Sequence, residues 1–223
     1  MAYTTINKSS DYFNNKLYAG NGSTQTISGV GHQPDLVWVK QRNGTAYHQL
    51  TDAVRGVNSQ SASNDAGMGA SNTCLTAFNS DGFALGSNGD VNASSKNYVS
   101  WNWKANGAGA SNEDGSINSI KTSASTASGF SIVTYTGTGS NATVGHGLGV
   151  IPKLIIIKNT SAGEDWTVYN STSGATKYLV LNSTATISGA SAGPFNNTAP
   201  TSSVFSVGTW GSTNGSSQTL VAY

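Results

Sequence analysis

The feature that most constrains the fold of this chain is an internal repeat that covers most of its length. Tyr18 of the first copy corresponds to Tyr135 of the second, and Asn92 corresponds to Asn214. Four pairs of segments match in the same order along the chain: 13–22 with 130–139, 34–40 with 152–158, 82–86 with 204–208, and 98–101 with 220–223. Matches that keep one order indicate two copies of a single structural unit.

Each copy has the pattern of short β-strands separated by tight turns. Runs of β-branched and aromatic residues, such as 36–39 and 154–157, alternate with Asn-Gly and Asp-Gly pairs such as 21–22 and 81–82. These dipeptides favour hairpin turns. No long window shows the apolar spacing of a helix. We therefore predict an all-β protein of two tandem, duplicated antiparallel β-sandwich domains, jelly-roll-like in arrangement.

The repeat also predicts the domain boundaries. The first sandwich should occupy residues 1–105 and the second residues 128–223. Residues 106–127, rich in Gly, Ala, Ser and Asn, are expected to form a linker with room for one short strand at 116–121. Tyr223 corresponds to Trp101, after which the first copy continues, so the last strand of the second copy is expected to be clipped.

Composition excludes several classes of partner. Charged residues make up only 9% of the chain and the net charge is about +1, so there is no basic stripe for nucleic acid. No apolar run is long enough to insert into a membrane.

The first residues lack the features of a signal peptide, and Cys74 is the single cysteine, which excludes an intrachain disulfide. Synthesis in a reducing cytoplasm fits this pattern.

A string of motifs gives the chain a family resemblance. The motifs lie at residues 12–22, 33–40, 52–56, 78–83, 99–104 and 145–153. In this order they resemble the repeated domains of marine bacteriophage tail-fibre-like virion proteins, over nearly the whole chain. The resemblance implies a virion protein of the tail or capsid surface, made in the host cytoplasm and without known chemistry.

Three functions remain open on this basis. The leading one is a tail-fibre or spike component that attaches to the host surface by multivalent binding. The expected partners are other virion proteins, further copies of the chain in a trimer, and possible host surface glycans. The alternatives are a capsid decoration or head-fibre protein and a carbohydrate-active enzyme.

Catalytic chemistry is not predicted. The three histidines are His32, His48 and His146, and no Gly-x-Ser-x-Gly elbow accompanies them. The acid pairs at 113–114 and 164–165 lie in a linker and a loop, where a carboxyl group stays solvated. We expect no enzyme activity, no catalytic residue and no cofactor.

Three groups of residues are candidates for other roles. Asn88, Asp90 and Asn92 alternate as in a calcium loop, although no acidic ligand follows, so a polar hairpin is favoured over a metal site. Trp101 and Trp103 lie two apart and share one face of a strand; they either fill the core, which is favoured, or stack on sugar rings. The last group is a pair, Asp52 and Arg55, whose spacing suits a bracing ion pair.

Overall fold

The computed structural model describes residues 6–69 and 73–223, and almost all of its regular structure is β-strand. The chain divides into two compact units. The first unit contains the described residues up to Ala62 and those from 73 to Ala108, and the second contains Ser63–Gly69 and Gly109–Tyr223. Every sheet is built from antiparallel strand pairs, so the all-β prediction is confirmed.

The first unit consists of two sheets. Its elements follow this order: a 3-10 helix (Ser9–Asp11), β1 (Phe13–Ala19), β2 (Gln25–Ser28), β3 (Leu36–Gln41), β4 (Gln49–Asp52), β5 (Gln60–Ala62), β6 (Leu75–Asn79), β7 (Gly82–Leu85), α1 (Gly89–Asn92) and β8 (Asn97–Trp103). The larger sheet has the order β1-β8-β3-β4-β5 and the smaller has the order β2-β7-β6.

The core of the first unit takes side chains from both sheets. Val37 and Val39 of β3 are completely buried, and they cluster with Phe83 and Leu85 of β7 and with Tyr98 of β8. The alternation of side chains along β3 thus turns both valines into the core. Ile155 and Ile157 hold the matching positions in the second unit and are buried in its core.

The second unit repeats most of these elements. They are β9 (Lys121–Ser125), β10 (Phe130–Thr136), β11 (Ala142–Gly145), β12 (Leu154–Asn159), β13 (Thr167–Asn170), β14 (Leu179–Val180), β15 (Val204–Val207), α2 (Gly211–Asn214) and β16 (Thr219–Ala222). The larger sheet has the order β14-β13-β12-β16-β10-β9, and β11 pairs with β15.

Matched residues of the two copies occupy matched pairing positions. Lys40 lies opposite Val99 in the first unit, and Lys158 lies opposite Val221 in the second. The same correspondence relates the pair Ile27 and Phe83 to the pair Val144 and Phe205. A slip of one residue would turn every side chain to the opposite face, so the sequence alignment and the strand registers support each other.

The predicted linker at 106–127 needs correction. From Gly109 onward these residues belong to the second unit. Ile117 is buried in the core, and the strand lies at Lys121–Ser125, later than the predicted 116–121, where it pairs with β10. This strand was not recognised in the sequence because it lies at the edge of a sheet. Its Ser and Thr side chains do not form the apolar run by which a buried strand is recognised.

Candidate functional site

A buried asparagine joins three loops in the first unit. The Asn92 side chain donates through Nδ2 to the carbonyl oxygens of Ser23 and Gly86, the latter at 2.8 Å. Its Oδ1 accepts from the Asn21 backbone N–H at 3.0 Å and from Gln25 Nε2 at 2.7 Å. All the hydrogen-bonding capacity of this amide is used inside the protein, which fixes the loops around it.

Asn214 performs the same task in the second unit. Its Nδ2 donates to the carbonyl oxygens of Ser140 at 2.6 Å and Gly208 at 2.7 Å, and its Oδ1 accepts from the Thr138 backbone N–H at 2.8 Å. These partners correspond to Ser23, Gly86 and Asn21 of the first copy. We call each of these arrangements an asparagine hub.

All three residues of the candidate calcium loop form hydrogen bonds within the protein: Asn92 in its hub, and Asn88 and Asp90 as follows. Asn88 Oδ1 accepts from the Asp90 backbone N–H at 2.8 Å and so caps α1, and Asp90 Oδ2 accepts from Gln49 Nε2 at 2.9 Å. Oxygens that face N–H donors are poorly placed to bind a cation. Within residues 6–69 and 73–223, no group of three acidic, histidine or cysteine residues could hold a metal ion.

Trp101 and Trp103 form part of an aromatic row on the face of the larger sheet of the first unit that lies opposite the core cluster. The Phe13 and Trp103 ring centroids are 4.9 Å apart, and Trp38 lies 6.0 Å from Trp101 and 6.3 Å from Trp103. All four side chains are half-buried. We call Phe13, Trp38, Trp101 and Trp103 the aromatic row.

The favoured core role of Trp101 and Trp103 is therefore wrong. Strand residues alternate between the two faces, and in β8 it is Tyr98 that enters the core cluster. The two tryptophans share the opposite face. Their rings are inclined to that of Trp38, at 65° for Trp101 and 32° for Trp103, so they pack partly on one another. The row can contribute apolar and stacking contacts to binding.

An ion pair borders the aromatic row. Asp52 lies opposite Leu36, which in turn lies opposite Trp103, so the three side chains share one face. Arg55 Nε donates to Asp52 Oδ2 at 2.6 Å, with side-chain exposures of 8% and 0%. The Arg55 guanidinium also donates to Ser61 Oγ at 3.0 Å. This geometry agrees with the predicted bracing role.

Lys158 is a buried cation that the sequence did not single out. Its Nζ donates to the carbonyl oxygens of Glu164 at 2.5 Å and Ala66 at 2.7 Å, and lies 6.0 Å from the Trp166 ring centroid. Burial lowers the pKa of this amine to about 8. A lysine after an apolar run resembles the exposed end of a strand, so no local pattern indicates this burial.

Asp35 is a second buried charge that sequence reasoning missed. Its Oδ2 accepts from the Ala105 backbone N–H at 2.7 Å, which holds the chain just after β8. Burial raises the pKa of this carboxyl group above its usual value. Such a shift also occurs in catalytic acids. Here the Asp35 carboxyl group holds the backbone at Ala105 in place, which is a structural role.

Two of the three histidines bond to backbone groups in turns. His32 Nδ1 lies 2.9 Å from the Ser10 carbonyl oxygen. His146 Nδ1 accepts from the Leu148 N–H at 3.1 Å, and burial lowers the pKa of its imidazole. Burial also lowers the pKa of His48. These contacts are typical of histidines that fix loops.

One residue of each acidic pair accepts a hydrogen bond from a nearby asparagine, and the cysteine lies in the core. Asp114 Oδ2 accepts from Asn112 Nδ2 at 3.0 Å, and Asp165 Oδ1 accepts from Asn182 Nδ2 at 2.7 Å. Cys74 is completely buried, which raises the pKa of its thiol to about 12. The contacts of these residues stabilise loops and the core.

Fold and site together define an all-β protein of two antiparallel units that correspond in strand register. Residues 8–223 match the sequence profile of a family described as a domain of unknown function, DUF7483, and the chain belongs to this family. Comparison with curated proteins and with solved structures gives no match. Among the residues that the structure describes, no helix is long and apolar enough to cross a membrane.

Proposed function

We propose that the protein is a structural component of a bacteriophage virion, as part of a tail fibre or spike that attaches to the host surface. The proposal starts from the motifs that resemble tail-fibre-like proteins. It includes no catalytic activity. The protein would be made in the host cytoplasm and would then occupy the surface of the particle, in contact with other virion proteins and with further copies of itself.

The observation that carries this proposal is the repetition of one loop scaffold within the chain. Asn92 and Asn214 hold corresponding loops through the same kinds of hydrogen bond. A scaffold that presents similar loops twice suits multivalent attachment, in which weak contacts multiply when several copies engage one surface. The few charges of the chain favour neutral contacts such as those with glycans.

The aromatic row is the part of the first unit that best suits glycan binding. Aromatic rings offer apolar faces to sugar rings, and the Asp52–Arg55 pair beside the row is internally neutralised. Trp101 is the member to test. Replacing it by Ala should weaken binding of the purified protein to host cells, while the melting temperature reports any loss of packing.

The decisive experiment is to find the protein in intact particles. Mass spectrometry of separated heads and tails, together with antibody-gold labelling, should place it on the tail. A position on the shell would replace the fibre function by capsid decoration or a head fibre. Absence from purified particles would overturn the virion proposal altogether.

A further inference from the structure

A tryptophan of the second unit stands where the first unit has a helix cap. Asn88 Oδ1 accepts from the Asp90 backbone N–H and caps α1. Trp210 holds the matching position before α2, and its side chain makes no such hydrogen bond. Trp210 is also 36% exposed. The second copy therefore lacks a stabilising cap at this position and presents a large aromatic side chain to solvent instead.

The Trp210 ring is held in place from two sides. Its centroid lies 4.9 Å from that of the Tyr178 ring, and the ring planes are inclined at 76°, so the edge of one ring meets the face of the other. A Cβ atom at Gly193 would lie 1.7 Å from Trp210 Nε1, so the indole packs directly on the backbone there. The Trp210 backbone N–H donates to the Gly193 carbonyl oxygen at 3.2 Å. We call Trp210 and Tyr178 the aromatic corner.

Both residues of the aromatic corner differ in kind from their counterparts in the first copy. Trp210 corresponds to Asn88, and Tyr178 corresponds to Gln60. Gln60 is buried, whereas Tyr178 packs against the core of the second unit and stays half-buried. The asparagine hubs, by contrast, form the same kinds of hydrogen bond in both copies. The aromatic corner is thus a feature of the second unit that the common scaffold does not require.

A carboxylate lies beside the aromatic corner. A Cβ atom at Gly211, the residue after Trp210, would lie 2.6 Å from Glu164 Oε1, so this oxygen lies close to the backbone that carries the tryptophan. Glu164 is half-buried. Within the described part of the chain, its carboxylate accepts no hydrogen bond. The negative charge of Glu164 is therefore available to a ligand.

The one buried amine in this region does not neutralise its carboxylates. Lys158 is attracted to three of them, those of Asp65, Asp165 and Glu164. Its Nζ donates to the carbonyl oxygens of Ala66 and Glu164 in the interior. One amine thus serves three acids, and the surroundings of Glu164 favour a positively charged ligand over a neutral or negative one.

We propose that the aromatic corner, together with Glu164, binds a quaternary ammonium group. Such a cation has no N–H to donate, so aromatic faces and opposite charge recognise it rather than hydrogen-bond acceptors. Trp210 supplies the type of ring that attracts a cation most strongly, Tyr178 forms the second wall, and Glu164 supplies the opposite charge. Choline and other compounds with a trimethylammonium group are the chemical class that fits.

Binding at the aromatic corner does not depend on a place in a virion. The test is a titration of the intact, isotope-labelled chain with choline, followed by the NMR signal of the Trp210 indole N–H. This signal is assigned by its loss in the variant Trp210→Asn. We expect a saturable shift with a Kd of about 10 mM or below. No shift at about 100 mM choline would overturn the proposal.

A neutral ligand of the same shape separates charge from apolar contact. The alcohol in which a carbon atom replaces the nitrogen of choline has no charge, and it should bind at least about tenfold more weakly. Equal affinity for choline and this alcohol would refute a cation site. A response to methyl glucoside without a response to choline would also refute it and would indicate a sugar site instead.

Three variants make the test specific to the aromatic corner, with binding read from the methyl signal of choline. Trp210→Asn introduces the capping residue of the first copy, so it should keep its melting temperature and lose binding. Glu164→Gln should weaken binding by at least about fivefold, because the opposite charge is lost. Tyr47→Asn is the matched control, since Tyr47 is an aromatic residue of the first unit that is 49% exposed, and should leave affinity unchanged. Unchanged affinity in a folded Trp210→Asn variant would place the site elsewhere and overturn the proposal.

Discussion

The two asparagine hubs show how single polar side chains can determine the shape of a loop region. Each hub amide donates to two carbonyl oxygens that come from different loops. These partners are distant in sequence from one another, so no local propensity could bring them together. The hub therefore accounts for the buried position of an amide that would otherwise be costly to remove from water.

Replacing a hub asparagine should be strongly destabilising. Asn92→Ala and Asn214→Ala should each lower the free energy of unfolding by about 3 kcal/mol, because two buried carbonyl oxygens and at least one N–H lose their partners. Asn88→Ala is the control and should cost about 1 kcal/mol, as for loss of a helix cap. Urea unfolding measures all three. Losses below about 1 kcal/mol at the hubs would contradict this account.

Lys158 should make stability depend on pH in a mildly alkaline range. Its pKa falls from an ordinary 10.5 to about 8 in the folded chain. Between these values the unfolded chain binds the extra proton, so the free energy of unfolding rises as the pH increases.

The variant Lys158→Met should remove this part of the pH dependence. Its free energy of unfolding, measured by urea titration from about pH 7.5 to 9.5, should rise less steeply than that of the unaltered protein. Lys153→Met, at an exposed position, should keep the original slope. Equal slopes for Lys158→Met and the unaltered protein would show that Lys158 is not the group responsible.

At the scale of elements, β12 is buried along one face, whereas its other face is exposed at Leu154 and buried at Lys158. Ile155 is 4% exposed and lies in the core, whereas Leu154 next to it is 52% exposed. The four consecutive apolar residues at 154–157 suggest, taken as sequence alone, that both faces of this strand are largely covered. The exposure of Leu154 corrects that view for the beginning of the strand.

Truncation of the two neighbours should therefore differ sharply. Ile155→Ala should lower the free energy of unfolding by about 2–5 kcal/mol, through lost burial and a cavity. Leu154→Ala should change it by less than about 0.5 kcal/mol, because the side chain is already in water. Thermal and urea unfolding can compare the two. Similar losses at both positions would place the strand in another orientation.

The sequence predicted those elements that depend on apolar alternation or on repetition. β3 and β12 were recognisable because branched residues follow a proline in both copies, and the repeat aligned their registers. β9 was missed because an edge strand of Ser and Thr looks like a linker. The face of Trp101 was misjudged because spacing shows that two residues share a face but not which face is buried. Lys158 and Asp35 depend on distant carbonyl and N–H groups, which no local pattern reveals.

At the scale of the whole molecule, assembly is the expected state. The sheets end in edge strands such as β1, and unpaired edges favour contact with other chains unless charges protect them. The chain has few charges, and Leu17 in β1 is 61% exposed. A low net charge also gives little repulsion between free copies.

Light scattering of the purified chain should thus give a mass above that of a monomer, with a trimer as the expected species. The three-fold number follows from the resemblance to tail-fibre-like proteins. Cross-linking on particles provides the comparison under native conditions. A hexamer would refute the trimer alone, whereas a monomer at high concentration that is also absent from particles would remove the assembly hypothesis.

The burial of Cys74 gives the protein a built-in chemical reporter. It is the single cysteine, it lies in the core of the first unit, and a thiol with a pKa of about 12 supplies almost no thiolate at neutral pH. A thiol-reactive dye can therefore label it only when that core opens. Labelling rates along a urea gradient would report the opening of the first unit alone, and cysteines introduced on the surface could be modified selectively while the fold is intact.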